Sequence, residues 1–179
     1  MTTPSTPAPY THVPQLNRSA AQLPTTISVG YYAAHPHLPA PADSLFASAC
    51  WLVARHPQVM ALARRVPGAV DPEGDVLPWI LAETFEALDD HNAAWRDYET
   101  DTPAPADDGR YDAWVEAGPA PTPQVAALGV MSRTEVTRLR LLATLNNDTT
   151  VPFTVGMLHG FDTAGQAFVQ DWTLAVQGR

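Results

Sequence analysis

Eighteen prolines constrain this 179-residue chain more than any other feature of its sequence. A proline inside a helix removes a backbone donor and clashes with the carbonyl one turn back, so each marks a helix start, a stop or a gap. Eight of them fall in residues 1–42, a stretch without Asp or Glu in which Arg18 is the only formal charge. Helix is not expected at that density, and residues 1–42 read as a Pro-rich, largely disordered tail. Within it, "TTISVGYYAA" (25–34) either adds an edge strand or packs Tyr31 and Tyr32 onto the body. The other prolines cut residues 43–179 into helix-length pieces. The expectation is all-α: one compact domain of five to seven helices, with an acidic Pro-rich connector at 100–123.

The pieces carry helix signals of their own. Asp43 or Ser44 is a good N-cap for "LFASACWLVARH", whose Leu45, Phe46, Ala49, Cys50, Leu52 and Val53 form a wide apolar face suited to a central helix. Pro57 ends it and opens "PQVMALARRV", which Pro67-Gly68 closes. After the "DPEGD" turn, Asp75 can cap the longest helix, about 76–99. Leu77, Leu81, Phe85, Leu88, Asn92 and Trp95 there step by three or four, the spacing of one buried stripe. "RYDAWVEAG" is a short helix inside the connector. "SRTE" (132–135) has capping-box spacing and opens a helix to about Asn146.

Composition narrows the function classes. One cysteine, Cys50, allows neither an intramolecular disulfide nor a cysteine metal cage, which suits a reducing, cytoplasmic setting or indifference to redox. No apolar run reaches a membrane span of ~20 residues, and the N-terminus lacks the basic-then-apolar order of a secretory signal. The net charge of −9 is unevenly placed. Residues 71–116 hold fourteen of the nineteen acids against Arg96 and Arg110, a local balance of −12. A free-standing nucleic-acid binder shows the opposite overall sign, so these acids read either as a solvated face partly neutralised by the fold's own arginines or as a surface for a basic partner. The acid-free leader also resembles the export signals of injected bacterial effectors.

Residues 151–172, "VPFTVGMLHGFDTAGQAFVQDW", admit two conformations. As strands, Phe153, Val155 and Met157 alternate into a "DTAG" turn and return through Phe168, Gln170 and Trp172. As helices, a short apolar turn ends at Gly160, and Asp162 or Thr163 caps a helix that places Phe168, Trp172 and Ala175 on one face. The helical reading is preferred. With Pro152-Phe153, Val155, Leu158, Phe161-Asp162 and the aliphatics around Leu141-Leu142, the last 45 residues or so resemble small helical domains of unknown function encoded on bacterial integrative elements and plasmids. That resemblance implies an all-α fold and no known activity.

Four constellations suggest chemistry. Cys50-Trp51 near a helix start, with a late hairpin running into Asp171-Trp172, resembles a papain-like cysteine peptidase. Thr154 stands where that pattern places its histidine, and a cysteine well inside a helix is usually an inert buried thiol. His35 and His37, with Asp43, His56, Glu86, Asp89, Asp90 and His91, are metal-ligand candidates by type only, and solvated carboxylates and loop histidines are the preferred reading of them. Glu83 and Glu86 are similar to the Glu-x-x-Glu pair of helical nucleotide pyrophosphatases, without the second acidic pair those enzymes use for magnesium. "QVAALGVMSRTEVTRLR" (124–140) resembles a helix-turn-helix, with Arg133, Arg138 and Arg140 aimed at phosphates or guanine edges and 124–146 as the DNA-reading unit. Against it, Met131 is one residue too many and Pro119, Pro121 and Pro123 leave its first helix barely one turn.

The richest surface signal is "AAWRDYETDTPAPADDGRYDAWVEAGP". Trp95, Tyr98, Tyr111 and Trp114 alternate with acids there, the composition of interface anchors; the same rings could instead pin the connector to its own domain. The resulting expectation is a non-enzymatic, acidic interaction protein of adaptor or inhibitor type. It would bind an unidentified protein partner through Trp95, Tyr98, Tyr111 and Trp114, with no cofactor and no metal.

Overall fold

The structure, a computed structural model, describes residues 27–146, 151–152 and 154–177. Residues 1–26, most of the expected tail, lie outside that description, as do Phe153 and all of the polar "NNDTT" turn but its first residue. The described residues form eight α-helices: α1 Val29–Ala34, α2 Leu45–Arg55, α3 Pro57–Ala63, α4 Pro78–Asp101, α5 Asp108–Ala117, α6 Pro123–Gly129, α7 Arg133–Ala143 and α8 Thr163–Gln177. A single 3-10 turn spans Val155–Leu158. They contain no strand, only an isolated antiparallel bridge between Val70 and Val76 across the "DPEGD" turn. The fold is all-α.

The helix count exceeds the expected range by one, because α1 lies in the segment assigned to the tail. Residues 27–42 are instead part of the body. The Ser28 hydroxyl accepts the Tyr31 N–H at 3.0 Å, and the Asp75 carboxylate accepts the Val29 N–H at 2.7 Å. Tyr32 is buried in the core, with Tyr31 edge-on to it at 5.3 Å. A six-residue helix has no stability of its own in water. It forms here because a carboxylate 46 residues away satisfies its first donor, which no local pattern announces.

α2 is the centre. Ser44 caps it, accepting the Ala47 N–H at 3.2 Å, and its residues Ala47 to Val53 are all buried. α1, α3 and α8 pack against it. Pro57 stands at the start of α3, where its missing N–H costs nothing. α7 opens with the expected capping box: Ser132 Oγ accepts the Glu135 N–H at 3.3 Å and Glu135 Oε2 accepts the Ser132 N–H at 2.7 Å. The Ser132 backbone N–H, and after it the Ser132 hydroxyl, hold the Glu135 carboxyl below its ordinary pKa. Leu139, Leu141, Leu142 and Ala143 of α7 then enter the core.

α4 begins at Pro78, two residues after the expected start, because Asp75 caps α1 rather than α4. Its buried side chains all lie between Pro78 and Phe85. The anticipated stripe therefore works only in its first half, and Asn92 is exposed and Trp95 half-buried.

The C-terminal segment is helical, which sets the hairpin reading aside. Asp162 caps α8, its Oδ1 accepting the Gly165 N–H at 2.8 Å. Phe168 and Ala175 are buried, and Trp172 Nε1 donates to the Leu141 carbonyl at 3.0 Å, tying α8 to α7.

Gly165 is held by contact, not by backbone freedom. A Cβ there would stand 2.8 Å from Cβ and Cγ of Phe161. Gly165→Ala should therefore lower stability by about 1–2 kcal/mol, since overpacking outweighs the gain in helix propensity. Denaturant titration of the two proteins checks the sign.

Candidate partner surface

Beyond Phe85, α4 carries no fully buried residue, and it is there that a ring of α5 meets it. Rings make the junction. The Trp114 centroid lies 5.6 Å from Trp95, 5.4 Å from Tyr98 and 5.6 Å from Tyr111. Trp95 and Tyr98 meet at right angles, 5.5 Å apart. Two hydrogen bonds lock the register. Tyr98 Oη donates to the Trp114 carbonyl at 3.0 Å, and Trp114 Nε1 donates to the Thr102 carbonyl at 2.7 Å, at the C-terminal end of α4 where carbonyls lack helical partners. A side chain on Gly118 would strike the Trp95 ring, so the chain leaves α5 across that ring.

The four rings expected to meet a partner thus have different places. Trp114 is 9% exposed, and Trp95 and Tyr98 are half-buried; these three join α5 to α4. Tyr111 is 47% exposed, and Val115, one turn further on, is 40% exposed. Val115 was not singled out from the sequence. Its signal was there, because a helix capped at Asp107 puts residues 111 and 115 on one face.

Few acids here have counter-ions. Among the described residues of α4 and α5, Asp89 meets Arg140 at 3.7 Å, and Asp107, at the start of α5, meets Arg110 at 3.9 Å. Among the described residues the other arginine ion pairs lie elsewhere: Arg55 with Asp171, Arg65 with Glu135 and Arg138 with Asp162.

The arginines assigned to DNA are engaged in the fold. Arg140 is buried, its guanidinium 4.5 Å from the Phe85 ring centroid and its Nη1 donating to the Pro152 carbonyl at 3.2 Å. Arg138 lies over Phe161 at 5.5 Å and pairs with Asp162 at 3.2 Å. Only Arg133 of the three is exposed. α6 has seven residues, so the first helix of that motif is a short one.

Cys50 is fully buried in α2, and its thiol is pushed up to about 12, chiefly by burial and then by the nearby Asp75 and Asp71 carboxylates. A thiol in that state is protonated at neutral pH and is no nucleophile. The His56 ring points elsewhere: its Nε2 lies 2.9 Å from Asp171 Oδ2, and its edge meets Phe168 at 5.2 Å. His159 is exposed. His35 stacks on Tyr31 at 4.6 Å and stands 6.2 Å from His37. Among the described residues no three His, Cys, Asp or Glu side chains gather closely enough to hold a metal ion, and no helix is long and apolar enough to cross a membrane.

No family model, curated protein or solved structure matches this chain.

Two outcomes follow from these placements. Trp114→Ala should release α5, seen as fast amide exchange confined to residues 107–118 while α2 and α7 keep their protection. The raised Cys50 pKa has a linkage consequence. Its unfolded thiol ionises near 8.5–9 and the folded one near 12, so the stabilisation is complete below about pH 9 and is lost as pH climbs toward 12. Cys50→Ala should reduce the alkaline slope of stability by up to ~1.4 kcal/mol per pH unit, measured by denaturant titration between pH 8 and 10.

Proposed function

We propose that this chain is a non-enzymatic protein-interaction module that offers the outer face of α5, with the acidic flank of α4, to a basic surface on another protein. One observation carries the reading: Tyr111 and Val115 stand exposed one turn apart on a helix whose surrounding carboxylates largely lack counter-ions. Apolar anchors give an interface its affinity, while uncompensated like charges around them speed encounter and select partners of opposite sign. Trp95, Tyr98 and Trp114 serve that surface from beneath by holding α5 rigid. Asp112 and Glu116 each follow one of the two apolar residues in sequence, so the anchors are edged with negative charge.

The buried, protonated Cys50 supports no hydrolase, and the commitment of Arg138 and Arg140 to the fold leaves little for a DNA backbone. On this reading the chain acts in a reducing compartment such as the cytoplasm. It would be one of the small helical domains of bacterial mobile elements that its C-terminal segment resembles.

The test is capture from cell lysate by the tagged protein at low and high salt, beside Tyr111→Ala/Val115→Ala. The expected result is a basic protein retained at low salt, weakened at high salt by screening, and lost in the double variant with helicity unchanged. Equal capture by both proteins would sink the assignment.

A further inference from the structure

α1 and the loop leading from it to α2 enclose an apolar groove of about 260 Å³ whose wall includes Ile27, Tyr31, Leu38, Pro39 and Pro41. It holds no residue of α4 or α5, so its occupant is independent of the α5 reading. α2 fixes the wall in advance. Trp51 Nε1 donates to the Leu38 carbonyl and Ser48 Oγ to the Pro41 carbonyl, each at 3.0 Å. The ring of each proline locks one backbone torsion, so the loop has little freedom to close over the space. A site formed before its ligand arrives loses little ordering entropy on binding.

Two polar groups in the wall are unclaimed by the fold. Asp43 is the only charged residue lining the groove, and it makes no hydrogen bond or ion pair among the described residues. The cap that its position offered to α2 is supplied by Ser44 instead. Tyr32 also lines the groove, and at 9% exposure its hydroxyl has no hydrogen-bond partner among the described residues. A hydroxyl at that depth takes a partner wherever one can reach it, and the groove is the space beside it. Burial, followed by Cys50, Tyr31 and Asp43, holds its pKa above the ordinary value, so at neutral pH it is an uncharged donor and acceptor near the Asp43 carboxylate.

We propose that this groove binds a small amphipathic cation, its ammonium group set against the Asp43 carboxylate and the Tyr32 hydroxyl and its apolar body lodged along Tyr31, Leu38 and the two prolines. An ammonium has three donors and no acceptor, which matches one carboxylate and one hydroxyl oxygen. An anionic ligand would meet Asp43 as a like charge, and a neutral one would leave the carboxylate unused. Aromatic rings in the wall favour a cation further. Arg55 reaches the same loop at the Pro36 carbonyl, 3.3 Å away, but it is already paired with Asp171 at 2.9 Å and does not compensate Asp43. Size narrows the class. Pockets for drug-sized molecules run to about 300–1,000 Å³, so a groove of about 260 Å³ takes a smaller body, a single ring or a short chain.

The test is amide NMR of the full-length chain titrated with phenethylammonium, 2-phenylethanol and phenylacetate, which share a ring and differ in the head group. Phenethylammonium should shift the amides of Tyr31, Tyr32, Leu38 and Asp43 saturably and spare those of α5. The alcohol should bind about three- to five-fold more weakly, the worth of one part-exposed charge contact, and the carboxylate more weakly still. Asp43→Asn should erase the gap between amine and alcohol with the spectrum of the core unchanged, because Ser44 keeps the cap of α2. Tyr32→Phe should weaken the amine with Asp43 intact. Equal binding of the three probes, or a preference for the amine that survives Asp43→Asn, would overturn the proposal. So would shifts centred on the acids of α4 and α5, which mark adsorption of a cation to an acidic surface, and so would the lack of any saturable shift.

Discussion

Seven consecutive residues of α2, Ala47 to Val53, are buried, and the rest of the body is arranged to make that possible. A helix covered on every side needs neighbours on every side. α1, α3 and α8 supply them. The few polar groups that α2 carries inward must also be satisfied, and they dictate the shape of the segment before it. Ser48 Oγ lies 3.0 Å from the Pro41 carbonyl, and Trp51 Nε1 donates to the Leu38 carbonyl at 3.0 Å. Residues 36–42 thus wrap the helix because its side chains offer hydrogen bonds that the loop's own backbone can take. At the far end, Arg55 Nε and His56 Nε2 both reach Asp171 Oδ2 at 2.9 Å, fixing α8 to the α2–α3 junction.

This dependence explains what the sequence disclosed. Signals contained within a few residues were legible: the Ser44 cap, Pro57 at a helix start, the Ser132–Glu135 box, the Asp162 cap and the helical face of Phe168 and Trp172. Signals that require a partner far along the chain were not. Proline density argued against helix in residues 27–42, and packing of Tyr31 and Tyr32 onto the body was one of two readings there. The helix itself depends on Asp75 and the buried face of α2, which act from a distance. Asp75 itself looked like the cap of α4 and serves α1. In the same way, Arg138 and Arg140 looked like surface cations until α4 and the stretch before α8 brought Phe85, Asp89, Phe161 and Asp162 to them. At the candidate partner surface, the four rings were found by composition, but which of them faces outward depended on the fold of α5 over α4.

The charges are segregated more than stability requires. Exposed ion pairs contribute ~0–1 kcal/mol each, so interspersing acids and arginines would have cost the fold nothing. Instead the arginines that pair do so mainly on the body, with Asp171, Glu135 and Asp162, and the α4–α5 acids are left largely to solvent. Like charges along one helix pair repel, and that repulsion is a standing cost. On the reading proposed above, the field these acids set up is what a basic partner would meet.

The joint between α4 and α5 shows how that field is kept in place. α5 is ten residues long, too short to hold itself, and its sequence DGRYDAWVEA alternates charged with apolar positions. An aliphatic seam would need apolar residues along its whole length, displacing the acids. Aromatic rings need fewer positions, because each buries a large area with only two side-chain torsions to freeze. Trp114 alone touches Trp95, Tyr98 and Tyr111 while its indole N–H closes the end of α4. Concentrating the adhesion in that one residue leaves the rest of α5 for acids, and leaves Tyr111 and Val115 outside as apolar points within them.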